Sequence, residues 1–128
     1  MNVLLDTHAF LWFSADDARL SPVARSAIQD PANQVYLSLA SVWEMAIKLS
    51  LGKLRLRRPL LTLVMEAMER RGIGLLSIQL GHALKVAELP FHHRDPFDRL
   101  LVAQCLVSDM AFVSRDPAAD SYGVTRIW

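Results

Sequence analysis

The chain has 128 residues, 52% of them hydrophobic and 21% charged, so it can bury one core of ordinary domain size and is not intrinsically disordered. The formal net charge of +1 excludes binding of nucleic acid through bulk positive charge, and any such role must rest on local patches. The only cysteine, Cys105, excludes an internal disulfide, and no apolar run approaches the ~20 residues that cross a bilayer. We expect a single cytoplasmic domain over residues 1–128.

The first elements follow from short apolar runs and capping signals. Residues 2–5 are an apolar run that predicts a buried strand, after which Thr7 is expected to cap a helix. Ser21 followed by Pro22 opens a second helix to about residue 29, and a turn leads to a strand over 35–37. Residues 39–51 predict a third helix, with Gly52 after its end.

The second half continues this alternation of strand and helix. It predicts a helix over 60–71 closed by Gly72, a strand over 75–78 and a helix over 79–88. Asp95 and Pro96 open a helix to about residue 108, and strands follow over 111–113 and 124–127. The pattern is typical of an α/β fold in which helices cover both faces of a mostly parallel sheet of four to five strands. Ligands bind beyond the carboxyl ends of such strands.

Acidic residues occur where that rule places a site. Asp6 ends the first strand, and Asp116 follows the fourth by three residues. Glu44 lies in the middle of an apolar helix, where a carboxylate needs a partner. Asp95 and Asp98 are three residues apart at a helix start and therefore share one face.

Each acid also has a purely structural interpretation. Asp6, Asp95 and Asp116 stand where helix N-caps are expected, and Asp98 stands in a first turn, where an acid favours the helix dipole. Glu44 fits a capping box with Ser41 or an exposed pair with Lys48. Taken together, however, acids after two strands and inside an apolar helix are better explained by a hard cation. Mg²⁺ and Mn²⁺ prefer carboxylate and water oxygens, and two such ions can assist hydrolysis of a phosphodiester.

Four stretches of the chain carry a family resemblance: LLDTHAFLW, SVWEMAIKLSLGKL, HRDPFDRLLVAQ and FVSRDPAADSYGV. In this order and at these separations they resemble VapC-like toxins of the PIN-domain family, from about residue 3 to residue 126. The resemblance implies an α/β/α sandwich and a Mg²⁺- or Mn²⁺-dependent endoribonuclease that is the toxin of a type II toxin–antitoxin module. It also implies a homodimer and inhibition by a small antitoxin.

The resemblance carries the family's four metal-binding and catalytic acids onto residues of this chain. They are expected to hold one or two ions, and the positions are Asp6, Glu44, Asp98 and Asp116. Three neighbours are possible additions, namely Asp95 as ligand or cap, and Ser114 and Thr7 as groups that orient a carboxylate or water.

A basic stretch in the middle of the chain has no acid between Met45 and Met65. It is either a solvated loop or a contact for RNA phosphates or an acidic antitoxin segment, and its members are Lys48, Lys53, Arg55, Arg57 and Arg58. Three further arginines flank the acids and could pair with them or bind phosphate: Arg94, Arg99 and Arg115. The histidines at 8, 92 and 93 lack the spacing of a closed zinc site.

Three other functions compete with a toxin. A phosphatase of the haloacid-dehalogenase type needs a second aspartate two residues after Asp6, where this chain has His8. A PIN-like fold could also serve as a non-catalytic binding module, although the four acids are all present. The third alternative keeps the nuclease but assigns it to RNA maturation or decay.

Overall fold

Five parallel strands form one sheet in the computed structural model, which describes residues 1–128. The strands are β1 (Asn2–Leu5), β2 (Gln34–Ser38), β3 (Gly74–Leu76), β4 (Ala111–Val113) and β5 (Arg126–Ile127). Their order is β3-β2-β1-β4-β5. The chain moves to one side of β1 for β2 and β3 and to the other side for β4 and β5, so the order reverses between β1 and β4. A crevice at such a reversal is the usual ligand site of a parallel sheet.

Six α-helices and one 3₁₀ helix connect the strands. The helices are α1 (Thr7–Ser14), α2 (Pro22–Gln29), α3 (Leu39–Ser50), α4 (Leu60–Arg71), α5 (Leu80–Val86) and α6 (Pro96–Ser108), and the 3₁₀ helix spans Pro117–Tyr122. None of these helices combines the length and apolar character needed to span a bilayer.

The alternation of side chains along β1 divides the core into two layers. Val3 and Leu5 face a cluster formed with α1, α2 and α4, whereas Leu4 faces a second cluster built on α6. This alternation is the two-residue period of a strand whose two faces are both covered. The predicted three-layer α/β/α sandwich is confirmed, and its sheet is entirely parallel.

Local capping signals predicted the long helices well. Ser21 accepts a hydrogen bond from Ala24 N at 3.0 Å, and α2 begins at the following proline as expected. Gly72 ends α4 with a φ of 65°, a left-handed conformation that suits glycine. The prediction that Thr7 caps α1 is wrong, because Thr7 is the first helical residue and Asp6 occupies the cap position.

Shorter elements differ more from the prediction. β5 covers two residues rather than 124–127, and β3 begins and ends earlier than the predicted 75–78. The 3₁₀ helix was not predicted, although Asp116 and Pro117 carry its start: the Asp116 carboxylate accepts a hydrogen bond from Ala118 N at 2.9 Å. Elements of two or three residues contain too little periodicity to be predicted from pattern alone.

Arg99 holds the loop between α5 and α6 in place, so the expectation that it contacts RNA, an antitoxin or the acids is wrong. The residue is only 5% exposed, and its guanidinium stacks on Phe91 with 4.2 Å from its carbon to the ring centre. Its N–H groups donate over 2.9–3.4 Å to five oxygens: the carbonyls of Val86, Leu89, Pro90 and His93, and the hydroxyl of Tyr122. Both terminal nitrogens of the guanidinium are therefore engaged within the protein.

Replacing Arg99 tests this structural role. Arg99→Met is expected to lower the free energy of unfolding by about 3 kcal/mol or more, since several buried carbonyls lose a charged donor. Arg94→Met removes an exposed arginine of the same segment and should change stability by less than about 0.5 kcal/mol. Urea denaturation measures both values, and equal stability of the two variants would contradict the role.

Candidate metal centre at the carboxyl edge of the sheet

The ends of β1 and β4 bring the first acid and the fourth acid side by side. The Asp6 N–H donates to the Val113 carbonyl at 2.9 Å and continues the pairing of these strands. Ser114 then donates its hydroxyl hydrogen to Asp6 Oδ2 at 2.8 Å and accepts the Asp116 N–H at 3.1 Å. Ser114 therefore fixes one oxygen of Asp6 and the backbone that carries Asp116.

The start of α6 brings Asp98 to the same place. Asp95 is the N-cap, and its Oδ1 accepts hydrogen bonds from Phe97 N at 2.9 Å and from Asp98 N at 3.0 Å. Asp98 sits in the first turn of the helix, and a pocket of about 10 Å³ lies between it, Asp6 and Asp116. This is close to the volume occupied by one water molecule.

Glu44 is buried beside this pocket, with both carboxylate oxygens engaged. Oε1 lies 2.8 Å from the Thr7 hydroxyl, which is also 2.9 Å from Ser41 Oγ, and Oε2 accepts from Lys48 Nζ at 2.8 Å. The pair with Lys48 is present, but the capping box is not, because Ser38 and not Ser41 caps α3. The structure thus gathers three of the four acids around one pocket and places Glu44 next to them.

His93 is the member of the cluster that the sequence prediction missed. Its Nε2 lies 3.1 Å from Asp98 Oδ2 and 2.9 Å from Asp116 Oδ2. The only signal was its place two residues before Asp95, in a loop whose direction the sequence does not specify. His93, Asp98 and Asp116 together offer ligand atoms within 4.8 Å of one another.

Similarity to known proteins identifies the family of this chain. A family model described as PIN domain matches residues 3–124. The chain belongs to the PIN-domain family. Ribonuclease VapC22 of Mycobacterium tuberculosis is 30% identical over 115 residues, which cover 89% of this PIN domain and 86% of VapC22. Ribonuclease VapC16 of the same organism is 41% identical over 58 residues, 45% of this chain but only 41% of VapC16, so that match spans less than half of the relative.

Solved structures show the same fold at low sequence identity. VapBC2 from Rickettsia felis, bound to a DNA fragment from its promoter, superposes with a TM-score of 0.72 at 10% identity and covers 98% of this chain and 97% of that one. FitAcB from Neisseria gonorrhoeae has a TM-score of 0.57 at 19% identity, covering 97% and 95%. FitAB bound to the IR36 DNA fragment has a TM-score of 0.60 at 19% identity, covering 97% and 92%.

The surroundings of the acid cluster in this PIN domain disfavour the ionised forms of Asp6 and Asp98. The pKa of Asp98 is raised to about 7, first by burial and then by the negative charges of Asp6 and Asp95, which outweigh the opposing effect of His93. Burial also raises the pKa of Asp6, against the lowering effect of the Ser114 hydrogen bond. Glu44 contributes to both shifts through its charge.

The residues present fit a hard divalent cation. No lysine or arginine forms a salt bridge with Asp6, Asp98 or Asp116. Their oxygens are the donors that Mg²⁺ and Mn²⁺ prefer, and a cation between them would offset the repulsion that raises the pKa of Asp98. By contrast, the hydrogen bonds with which Asp95 caps α6 are sufficient to explain why an aspartate occupies this position.

The basic stretch of the PIN domain lines a cavity of about 640 Å³, which adjoins Glu44 through Thr7 and Lys48. Lys48 is paired with Glu44, and this hydrogen bond raises the pKa of the Lys48 ammonium. Arg58 pairs with Glu66. The remaining three basic side chains of the stretch are exposed and form no salt bridge: Lys53, Arg55 and Arg57.

The raised pKa of Asp98 predicts a pH-dependent stability of the metal-free protein. Because the folded state holds the Asp98 proton more tightly than the unfolded state, the stabilising contribution is complete below pH 3.8 and is lost as pH rises to about 7. In EDTA at pH 8, Asp98→Asn should therefore be more stable than wild type by about 1–2 kcal/mol, after allowance for solvent screening. Urea denaturation at pH 4 and pH 8 measures this difference.

Asp120→Asn is the matched control, since Asp120 is an exposed aspartate paired with Arg126 that holds its pKa below the usual range. It should give no stabilisation at pH 8. If Asp98→Asn is no more stable than wild type at pH 8, the carboxylate is not under electrostatic strain.

Proposed function

We propose that this PIN domain is a Mg²⁺- or Mn²⁺-dependent endoribonuclease that hydrolyses RNA phosphodiester bonds. The observation that carries the proposal is the meeting of Asp6, Asp98 and Asp116 around one pocket without a lysine or arginine partner. RNA as the substrate is supported by the relatives, since VapC22 and VapC16 are both named ribonucleases. The VapC names of both relatives, together with the family resemblance, support the toxin of a type II toxin–antitoxin module over an enzyme of RNA maturation.

In this proposal Asp6, Asp98 and Asp116 would hold one or two ions, and Glu44 would add a fourth carboxylate. A bound divalent ion supplies activation of a water molecule and stabilisation of the charge that develops on the phosphodiester. The protein orients the acids: Ser114 fixes an oxygen of Asp6, as its hydrogen bond indicates.

The remaining supports act on the other two acids. Thr7 and Lys48 each donate a hydrogen bond to one oxygen of Glu44, and these contacts hold the carboxylate in place. Each oxygen keeps a second lone pair, so Glu44 can still contribute to a cation site. Asp95 caps α6 and so sets the position of Asp98. In this proposal Asp95 is therefore a cap and not a ligand.

Partners are part of the same proposal. The family resemblance implies a small antitoxin that inhibits the nuclease and a second copy of the chain in a homodimer. An exposed apolar face on α5 and α6, with Leu80, Leu84 and Val107, is the surface we propose for the second copy. Light scattering at micromolar concentration measures the molar mass in solution. A mass of one chain alone would exclude the dimer.

Cleavage of RNA should require both the metal and the acids. The purified protein should cleave RNA in the presence of Mg²⁺ or Mn²⁺, and this cleavage should be abolished by EDTA. Asp6→Asn and Asp98→Asn should each reduce the rate more than about 100-fold, the upper effect of removing a group that only orients a ligand. Gel analysis of a defined RNA measures the rates.

Asp109→Asn provides the control on the same helix. Asp109 is an exposed aspartate at the opposite end of α6, with a φ of 52° that asparagine adopts as readily. It should retain full activity. Cleavage that persists in EDTA would exclude the metal mechanism, and a protein inactive with every divalent ion would favour the non-catalytic binding module.

We further propose that Lys53, Arg55 and Arg57, the unpaired basic side chains beside the cavity of about 640 Å³, bind RNA phosphates. Arg55→Ala with Arg57→Ala should weaken RNA binding and flatten the slope of log affinity against log salt by about 1.4, the value for two contacts to a single strand. Arg70→Ala with Lys85→Ala removes the same charge elsewhere and should leave the slope unchanged. Fluorescence anisotropy at several salt concentrations measures the slopes. If the Arg55→Ala, Arg57→Ala variant has the same slope as wild type, the basic stretch contacts the antitoxin or solvent and not RNA.

A further inference from the structure

One imidazole lies between the two acids that come from different parts of the chain. Asp98 belongs to the first turn of α6, and Asp116 follows β4. The His93 Nε2 is within hydrogen-bonding distance of both, 3.1 Å from one carboxylate and 2.9 Å from the other. It is also the one nitrogen ligand available in a cluster that is otherwise made of oxygens.

The other ring nitrogen determines what Nε2 can do. The Asp95 N–H donates to His93 Nδ1 at 3.0 Å, so Nδ1 presents its lone pair and carries no hydrogen. The hydrogen of the neutral ring is then on Nε2, which points it at the two carboxylates. A histidine that binds a metal has the opposite arrangement, with its lone pair toward the ion and the other N–H donated to an outer acceptor.

The backbone of His93 is held on both sides, which keeps the ring in this position. Its N–H donates to the Tyr122 hydroxyl at 2.9 Å, and its carbonyl accepts from Arg99 Nη1 at 3.3 Å. Tyr122 closes the 3₁₀ helix that begins just after Asp116. The loop is thus tied both to the helix that carries Asp98 and to the segment that carries Asp116.

We propose that His93 is a positioning residue that holds Asp98 and Asp116 together through Nε2–H and is not itself a metal ligand. A neutral donor shared by two carboxylates offsets part of their repulsion before a cation arrives. It uses one lone-pair site on each acid and leaves the others for the ion. The inference rests on the proposed function, because it assigns His93 to the same acid cluster.

Two substitutions separate the two nitrogens of the ring. His93→Asn retains an acceptor at the position of Nδ1 and removes the donor to the acids, whereas His93→Gln extends an amide N–H to the position of Nε2. Isothermal titration with Mn²⁺ should show affinity about 10- to 100-fold weaker for His93→Asn, the usual effect of losing an orienting group. His93→Gln should restore most of that affinity.

A metal-free measurement tests the same contact without the enzyme's activity. In EDTA, His93→Asn should lower the melting temperature, and it should lower it less in the Asp98→Asn background, where the repulsion that the donor offsets is already gone. Circular dichroism of each variant verifies that the fold is retained.

The outcomes distinguish this inference from the proposed function. If the wild-type protein binds no Mn²⁺, the proposed function itself is wrong. Wild type that binds Mn²⁺ while His93→Asn binds it as well or more tightly would overturn only the role of His93. If both variants keep the wild-type affinity for Mn²⁺ but lose binding of Ni²⁺ or Zn²⁺, Nε2 is a metal ligand. That result would also overturn the positioning role.

Discussion

The burial of mutually repelling carboxylates at the carboxyl edge of β1 and β4 is the constraint on which the rest of this structure depends. Burial is the largest cause of the raised pKa values of Asp6 and Asp98, and the negative charges of neighbouring acids raise both further, so the charged cluster opposes folding. The polar groups that contact these carboxylates are donors: the Ser114 hydroxyl bonds to Asp6, and the His93 Nε2 lies beside Asp98 and Asp116. The surrounding structure is therefore organised to hold negative charge that it does not neutralise.

Glu44 follows a different arrangement from the three aspartates. Its charge is compensated inside the protein by Lys48, one helical turn later, and its other oxygen meets Thr7. The aspartates have no lysine or arginine partner, and the one basic group close to them is the His93 imidazole beside Asp98 and Asp116. The three aspartates are therefore the acids that most need an external cation, whereas the charge of Glu44 is already balanced by Lys48.

Much of the site could be predicted because its signals are local. Asp6 and Asp116 follow apolar strands, and Asp95 with Pro96 marks a helix start, so each position can be read within a few residues. The role of Arg99 could not be predicted from its neighbours in the sequence. Adjacent residues on a helix point about 100° apart, and Asp98 faces the pocket while Arg99 turns toward the loop.

His93 was missed for a related reason, since a loop has no periodicity from which the direction of a ring can be inferred. Its position depends on Tyr122 and Arg99, which lie 29 and 6 residues away in the chain. Glu44 was ambiguous until its burial was known, because an (i, i+4) pair with a lysine occurs equally on exposed helices.

The hydrogen bond between Ser114 and Asp6 joins residues 108 positions apart in the sequence. During synthesis from the amino terminus, β1 emerges long before its neighbour β4, so an incomplete chain has Asp6 without Ser114, Asp98 or Asp116. The acid cluster therefore cannot form before Asp116 has been synthesised, and a growing chain that has not reached this residue has no complete site for a metal.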